Sequence, residues 1–250
     1  MPHERVQVHF QGHKLARISK KALYQEIYGA ITKKKWKELH DIPEDLLHDG
    51  IHWEALRRAM EREPLGKQRW LCKHCARQCG VGRNLKRRKY QSHDNCPRCD
   101  QPNETTTHVL RCLDVGARNQ WADTREDLIT WLQMMQTNMA LQDAILQRLT
   151  FWHSADDPPP IEGPRALREA IKLQDRLGWE NFLMGRISPA LGAYQQVHYT
   201  NIGSRRTGDS WTSQLINQVW LIMWRMWEHR NQVNSSGLTA QDLRERAGLL

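Results

Sequence analysis

The chain has 250 residues, enough for one large domain or two small ones with ordinary hydrophobic cores. A chain of this length does not need a metal ion to make up for a hydrophobic core that is too small. Lysine and arginine number 37 against 28 acidic residues, and the formal net charge of +9 favours a polyanionic partner such as nucleic acid. The first residues lack the pattern of a signal peptide, and no apolar run approaches the roughly 18 residues of a membrane span. We therefore expect an intracellular protein, nuclear or cytoplasmic, without membrane contact, in which six cysteines favour metal binding over a disulfide framework.

The N-terminal region, residues 1–63, is predicted to be basic and helical. Val6, Val8 and Phe10 alternate with polar residues, which indicates one short strand. Apolar residues then follow helical spacing among many lysines over residues 15–36, and a second, shorter helix follows.

The charged residues of the next segment are all lysine or arginine, since no Asp or Glu lies between Gly66 and Tyr90. We name residues 66–90 the basic segment, and we predict a helix from Pro64 to Cys79 with Gly80 as its left-handed C-cap residue. Its cations would neutralise phosphates of RNA or DNA, and Trp70 and Tyr90 would stack on unpaired bases. A solvated basic face is the alternative. The predicted nucleic-acid contacts are Lys67, Arg69, Lys73, Arg77, Arg83, Lys86, Arg87, Arg88 and Lys89.

A metal-ligand pattern follows the basic segment, with the spacing C-x2-C-x8-H-x3-C. Cys96 and Cys99 let two thiolates converge from a tight turn, while His108 and Cys112 lie one helical turn apart on a common face. Asn103 is the predicted N-cap of that short helix. Because protein side chains fill all four positions, we predict one structural Zn²⁺ in a CCHC zinc knuckle rather than an open catalytic site.

Three further cysteines, Cys72, Cys75 and Cys79, precede the knuckle, with His74 and His93 nearby. On one helix the outer two cysteines would lie about 10 Å apart, which is too far to share an ion comfortably at Zn–S distances near 2.3 Å. We expect buried packing cysteines, because a free cysteine behaves as a small hydrophobe. A second metal site stays open as the alternative.

Two amphipathic stretches in residues 116–153 predict an antiparallel helical hairpin, one from Trp121 to Met135 and the other from Leu141 to Trp152. Residues 154–164 hold four prolines and a glycine and are predicted to be a linker.

Residues 165–250 form the predicted Trp-rich C-terminal helical region. We expect a helix over residues 165–177, an irregular stretch over 178–203 and a long apolar helix from about residue 209 to 233. Trp220, Trp224 and Trp227 follow helical spacing and are predicted to be a core stripe of that helix. The whole chain is thus expected to be mainly α, with the basic helix and knuckle forming residues 64–115.

The knuckle and the residues before it resemble the zinc-binding segment of non-LTR retrotransposon reverse transcriptases. The resemblance covers roughly residues 65–115 and rests on Lys73-His74, Gly80-Val81-Gly82, Leu85 and the run CPRCDQPNETTTHVLRC. Cys96-Pro97, Cys99, Glu104-Thr105, His108 and Cys112 match that family's pattern, whereas Asp100 stands where the family has glycine. The resemblance implies accessory nucleic-acid binding beside a polymerase module encoded upstream.

No polymerase signature Tyr-x-Asp-Asp and no carboxylate set for RNase H chemistry occurs in the chain. We therefore predict a non-catalytic region, either a fragment of a longer element or a degenerate remnant. The alternative function is a helical protein-interaction module with a purely structural zinc, docking through its Trp-rich C-terminal helix. The sequence leaves the oligomeric state open.

Overall fold

The computed structural model describes residues 9–10, 13–14, 38–40 and 42–235, and this part of the chain is mainly α, as predicted. Two short strands, β1 (His9–Phe10) and β2 (His13–Lys14), pair antiparallel, and residues 38–40 are helical. The helices that follow are α1 (Leu46–Asp49), α2 (Trp53–Arg62), α3 (Leu65–Cys75), α4 (Gly82–Arg87), α5 (Thr106–Arg111), α6 (Val115–Met134), α7 (Met139–Ser154), α8 (Arg165–Leu177), α9 (Trp179–Leu183), α10 (Pro189–Asn201) and α11 (Gly208–Ser235).

Before residue 42, the described residues are the two strands and residues 38–40. β1 lies within the alternating stretch that was expected to form a strand. The predicted helix over residues 15–36 lies outside the described residues. Ile42 packs with Leu46, Leu47, Ile51 and Leu177 in a small hydrophobic cluster separate from the main core.

The prediction of one helix from Pro64 to Cys79 is wrong at its C-terminal end. Helix α3 ends at Cys75, and Arg77, not Gly80, takes the left-handed conformation, with φ of 54°. The cause is the buried side chain of Asn84, which donates hydrogen bonds to the carbonyl oxygens of Arg77 and Cys79, both at 2.8 Å. The basic segment therefore runs over two short helices, α3 and α4, and the turn between them.

Helices α6 and α7 form the predicted antiparallel hairpin, joined by residues 135–138. Trp121 near the start of α6 stacks on His153 at the end of α7, with ring centroids 4.4 Å apart. The side chain of Asn138 caps α7 by accepting a hydrogen bond from the backbone N–H of Leu141. Residues 155–164, which follow α7, are not helical.

The expectation of an irregular stretch over residues 178–203 is wrong, since two helices, α9 and α10, lie there. Gly178 and Gly185, both with positive φ, separate the short α9 from its neighbours. Ser188 then caps α10, and Pro189 occupies its first turn. Helix α8, by contrast, has the predicted bounds.

Helix α11 lies at the centre of the main core and packs against α2, α6 and α10. Trp211 and Trp220 are fully buried, while Trp224 and Trp227 are half-buried against the core, so the predicted tryptophan stripe is confirmed as a core feature. Both sides of residues 154–164 contribute to this one hydrophobic cluster. The proposed domain boundaries stay predictions.

Among the described residues, no helix combines the length and the apolar character that crossing a lipid bilayer requires.

Candidate metal centre

Four predicted ligands converge at one place in the structure. The ligand atoms of Cys96, Cys99, His108 and Cys112 all lie within 4.8 Å of one another. The two sulfur atoms of Cys96 and Cys112 are 3.8 Å apart, and the sulfur of Cys99 lies 3.3 Å from Nε2 of His108. The cluster is therefore compact enough to hold a single metal ion.

The donor set and its dimensions fit zinc. A tetrahedral zinc ion with Zn–S bonds near 2.3 Å sets its sulfur atoms about 3.8 Å apart and a sulfur and a nitrogen about 3.6 Å apart. The Cys96–Cys112 and Cys99–His108 distances match these edges to within a few tenths of an ångström, and a pair at the 4.8 Å limit would need to close by about 1 Å. Side-chain rotations can supply movements of that size, so the four residues would close a tetrahedron around the ion.

A tight turn presents the first two cysteines. The backbone N–H of Asp100 donates to the carbonyl of Cys96, and the N–H of Cys96 donates to that of Gln101, both at 2.9 Å. Asp100 takes the left-handed conformation, with φ of 57°, at the position where the resembling family has glycine. The side chain of Asn95 donates to the carboxylate of Asp100 at 2.9 Å, which holds this unfavourable conformation in place.

Helix α5 presents the histidine. Thr105 is its N-cap, and the Thr105 hydroxyl oxygen accepts a hydrogen bond from the N–H of His108 at 3.0 Å. The prediction of Asn103 as the cap is wrong, because Asn103 takes a left-handed conformation two residues earlier. Cys112 does not share the helix with His108. It follows α5 in an extended conformation, so its thiol reaches the cluster from the chain beyond the helix.

The cysteine thiols share protons unevenly. The hydrogen bond between the two sulfur atoms lowers the pKa of Cys96 and raises the pKa of Cys112. Backbone hydrogen bonds from Arg98 and Cys99 also favour the Cys96 thiolate. The lowered pKa of Cys96 favours its thiolate, which is the form that binds a metal.

The cluster is accessible from one side. Cys96 and Cys112 are buried, whereas Cys99 and His108 are half-buried. A cavity of about 400 Å³ borders the turn that holds Cys96 and Cys99, and Arg230 forms part of its wall. A metal ion can therefore approach the ligands through this cavity without unfolding of the core.

A buried ion pair fastens the metal loop, residues 96–112, to helix α11. Glu104 is fully buried and Arg230 is 3% exposed, and the guanidinium donates to both carboxylate oxygens, at 2.9 and 2.6 Å. The same carboxylate accepts a hydrogen bond from the N–H of Gly82 at 2.6 Å. One carboxylate thus joins the metal loop, the start of α4 and the C-terminal helix. In the sequence Glu104 stands out only as part of the motif, and no local pattern identifies Arg230 as its partner.

The three upstream cysteines do not assemble a second site. Cys75 and Cys79 are buried in the core, but Cys72 is exposed, so the expectation of a buried packing cysteine is wrong for Cys72. Burial raises the pKa of Cys75 and raises that of Cys79 to about 12, which keeps both as neutral thiols. Within the described residues, the metal loop holds the only group of three or more His, Cys, Asp or Glu side chains with ligand atoms this close together.

The nine predicted nucleic-acid contacts are spread over α3, α4 and the turns beside them. Lys67, Arg77 and Lys86 face a carboxylate from outside the basic segment, at Glu63, Glu180 and Asp94 respectively. The other six are all exposed and have no carboxylate partner among the described residues. These six are Arg69, Lys73, Arg83, Arg87, Arg88 and Lys89.

The two aromatic residues of the basic segment differ in exposure. Tyr90 is 60% exposed, so its predicted stacking on bases stays a prediction. Trp70 is buried and meets Trp224 edge-on, with ring centroids 4.9 Å apart, so the prediction that Trp70 stacks on bases is wrong. The sequence could not separate these cases, because both residues lie among the same charges.

In comparisons with known proteins, the chain matches no family model, no curated protein and no solved structure.

Proposed function

We propose that this chain is a zinc-stabilised region that binds RNA or DNA and performs no chemistry of its own. It would serve as an accessory to a reverse transcriptase-like polymerase, as the motif resemblance implies. The observation that carries the proposal is the exposed, acid-free part of the basic segment beside the metal loop. A polyanionic backbone is the ligand that such a surface attracts.

The metal loop holds α4 in position. The backbone N–H of Arg83 donates to the carbonyl of Glu104 at 3.1 Å. Just before the loop, Asp94 pairs with Lys86 at 3.2 Å. The carboxylate of Glu104 also binds the N–H of Gly82. A metal that fixes the loop would therefore fix the arginines of α4 as well, which gives a structural zinc a role in nucleic-acid binding.

Two features of the metal centre favour a structural role over a catalytic one. Protein side chains supply four ligands, the full complement of a structural zinc site. The buried carboxylate within the metal loop, Glu104, is engaged by Arg230 and Gly82 and is therefore not poised to act on a bound water.

The alternative, a protein-interaction module, requires the C-terminal tryptophans to be available to a partner. Trp211 and Trp220 are fully buried, and Trp224 is engaged edge-on by Trp70. This arrangement favours the nucleic-acid proposal.

The test is a salt series with the full zinc-loaded chain and labelled single-stranded RNA, single-stranded DNA and duplex DNA. If the six predicted contacts that have no carboxylate partner among the described residues each contact one phosphate, the slope of log K against log salt is about −4 on a single strand and about −5 on duplex DNA. No detectable binding at about 50 mM salt, or binding that salt leaves unchanged, would refute the proposal.

A pair of matched variants separates specific placement from net charge. Lys73→Gln with Lys89→Gln should make the single-strand slope shallower by about 1.4, because two phosphate contacts are lost. Arg165→Gln with Lys172→Gln removes the same charge from exposed positions on α8 and should leave the slope within about 0.3 of the original. Equal changes from both pairs would contradict a role for the basic segment.

A further inference from the structure

Three arginines of the basic segment line one small cavity beside the metal loop. The cavity has a volume of about 230 Å³, and its lining includes Arg77, Arg83, Arg87, Gln78 and Thr106. None of the described residues that line it is acidic. The cavity brings three of the nine predicted contacts together at one concave place, and the remaining six lie outside it.

The backbone fixes where these arginines lie. Arg83 and Arg87 are four residues apart on α4, so they share one face of the helix. Arg77 enters from the left-handed turn before α4, which Asn84 holds through two hydrogen bonds of 2.8 Å. The three guanidinium groups therefore reach the cavity from two backbone elements held together by one buried side chain.

Several donors of these arginines are free or weakly engaged. Nε of Arg77 is buried and has no hydrogen-bond partner among the described residues, and its Nη2 lies 3.4 Å from the carboxylate of Glu180. Nη2 of Arg87 donates to the side-chain oxygen of Gln78 at 3.0 Å, a neutral acceptor. Arg83 is exposed and has no carboxylate partner among the described residues. An incoming anion would gain charge-assisted hydrogen bonds without first breaking a strong ion pair.

The size and chemistry of the cavity favour a phosphate group. Its volume falls below the roughly 300 to 1,000 Å³ of pockets for drug-sized ligands, so only a small group enters. Planar guanidinium forks match the oxygen spacing of phosphate and bind it through paired hydrogen bonds.

We propose that Arg77, Arg83 and Arg87 form a discrete binding pocket for one phosphate of the nucleic acid. The proposal rests on the nucleic-acid function described above and adds that one phosphate is held by guanidinium geometry rather than by charge alone. The phosphate belongs either to the backbone or to a strand end, and oligonucleotides with and without a 5′-phosphate separate these two sources.

A charge-conserving pair of variants tests the pocket in the full zinc-loaded chain. Arg83→Lys with Arg87→Lys keeps the net charge but removes both forks, and it should weaken single-strand binding about tenfold. Arg69→Lys with Arg88→Lys makes the same exchange outside the cavity and should change affinity less than about twofold. Equal effects of the two pairs would overturn the pocket and leave the proposed function standing.

Arginine labelling with phenylglyoxal supplies a readout that needs no nucleic acid. Inorganic phosphate should slow the labelling of Arg83 and Arg87 relative to Arg69 in the same chain. If the chain binds no RNA or DNA, the proposed function fails, and this protection alone supports the pocket. Equal labelling of all three arginines with and without phosphate would overturn it, as would equal protection by a glutamate-rich peptide.

Discussion

Replacement of Arg230 by methionine should destabilise the protein far more than replacement of an exposed arginine on the same helix. Arg230 neutralises the fully buried carboxylate of Glu104 through two hydrogen bonds of 2.9 and 2.6 Å, and its side chain is 4% exposed. Methionine preserves much of the apolar contact with Trp227 but leaves Glu104 as an unpaired buried charge. Breaking a buried pair in this way costs about 3 to 5 kcal/mol of unfolding free energy.

Arg225→Met is the matched control. Arg225 lies on α11 as well and pairs with Asp127, but the two side chains are 39% and 54% exposed. An exposed pair of this kind contributes about 0 to 1 kcal/mol. The two variants remove the same charge and differ in the burial of the partner carboxylate.

Urea unfolding of the zinc-loaded chain, followed by circular dichroism, gives the free energies. Glu104→Gln combined with Arg230→Met should recover part of the loss, because the glutamine side chain still accepts from the N–H of Gly82 and carries no charge. A loss below about 1 kcal/mol for Arg230→Met, or a double variant as unstable as the sum of the single ones, would refute the reasoning.

Two further predictions concern the metal loop and the buried histidine. Cys99→Ser should lower bound zinc from about one ion per chain to well below half and unfold the metal loop locally, since a structural zinc contributes about 10 to 16 kcal/mol of folding free energy in small peptides. Metal analysis after dialysis that still finds one zinc per chain would contradict the ligand set. His74 is fully buried without a hydrogen-bond partner among the described residues, and burial lowers its pKa to about 4. In the unfolded chain the histidine pKa is near 6.5, so between pH 6.5 and 4 the unfolded chain binds more protons than the folded protein. The contribution of neutral His74 to the free energy of unfolding is therefore fully present above pH 6.5 and is lost as the pH falls. The loss is about 1.8 kcal/mol from pH 7 to pH 5. His74→Leu should remove that part of the pH dependence in urea unfolding, and an unchanged difference between the two pH values would contradict it.

The sequence predicted the metal ligands because their arrangement is local. Cys96 and Cys99 lie in one tight turn, and His108 lies on a short helix that begins nearby, so residue spacing alone constrains their positions. The mainly α class and the bounds of α8 followed from apolar periodicity for the same reason.

Predictions failed where side-chain contacts that the local pattern does not show decide the conformation. The end of α3 depends on Asn84, which holds Arg77 in a left-handed turn several residues earlier. The burial of Trp70 depends on Trp224, which no local pattern connects to it. Helices α9 and α10 are a different case, because Ser188 followed by Pro189 is a local helix-start signal for α10.

The pairing of Glu104 with Arg230 has a consequence for the order in which the protein is made. The two residues are 126 positions apart in the chain. At about 5 to 20 residues per second, the ribosome adds Arg230 roughly 6 to 25 seconds after Glu104. The metal ligands are all translated well before that time, so a nascent chain can capture its ion early. The carboxylate of Glu104 then stays hydrated until the C-terminal helix is made and Arg230 can pair with it.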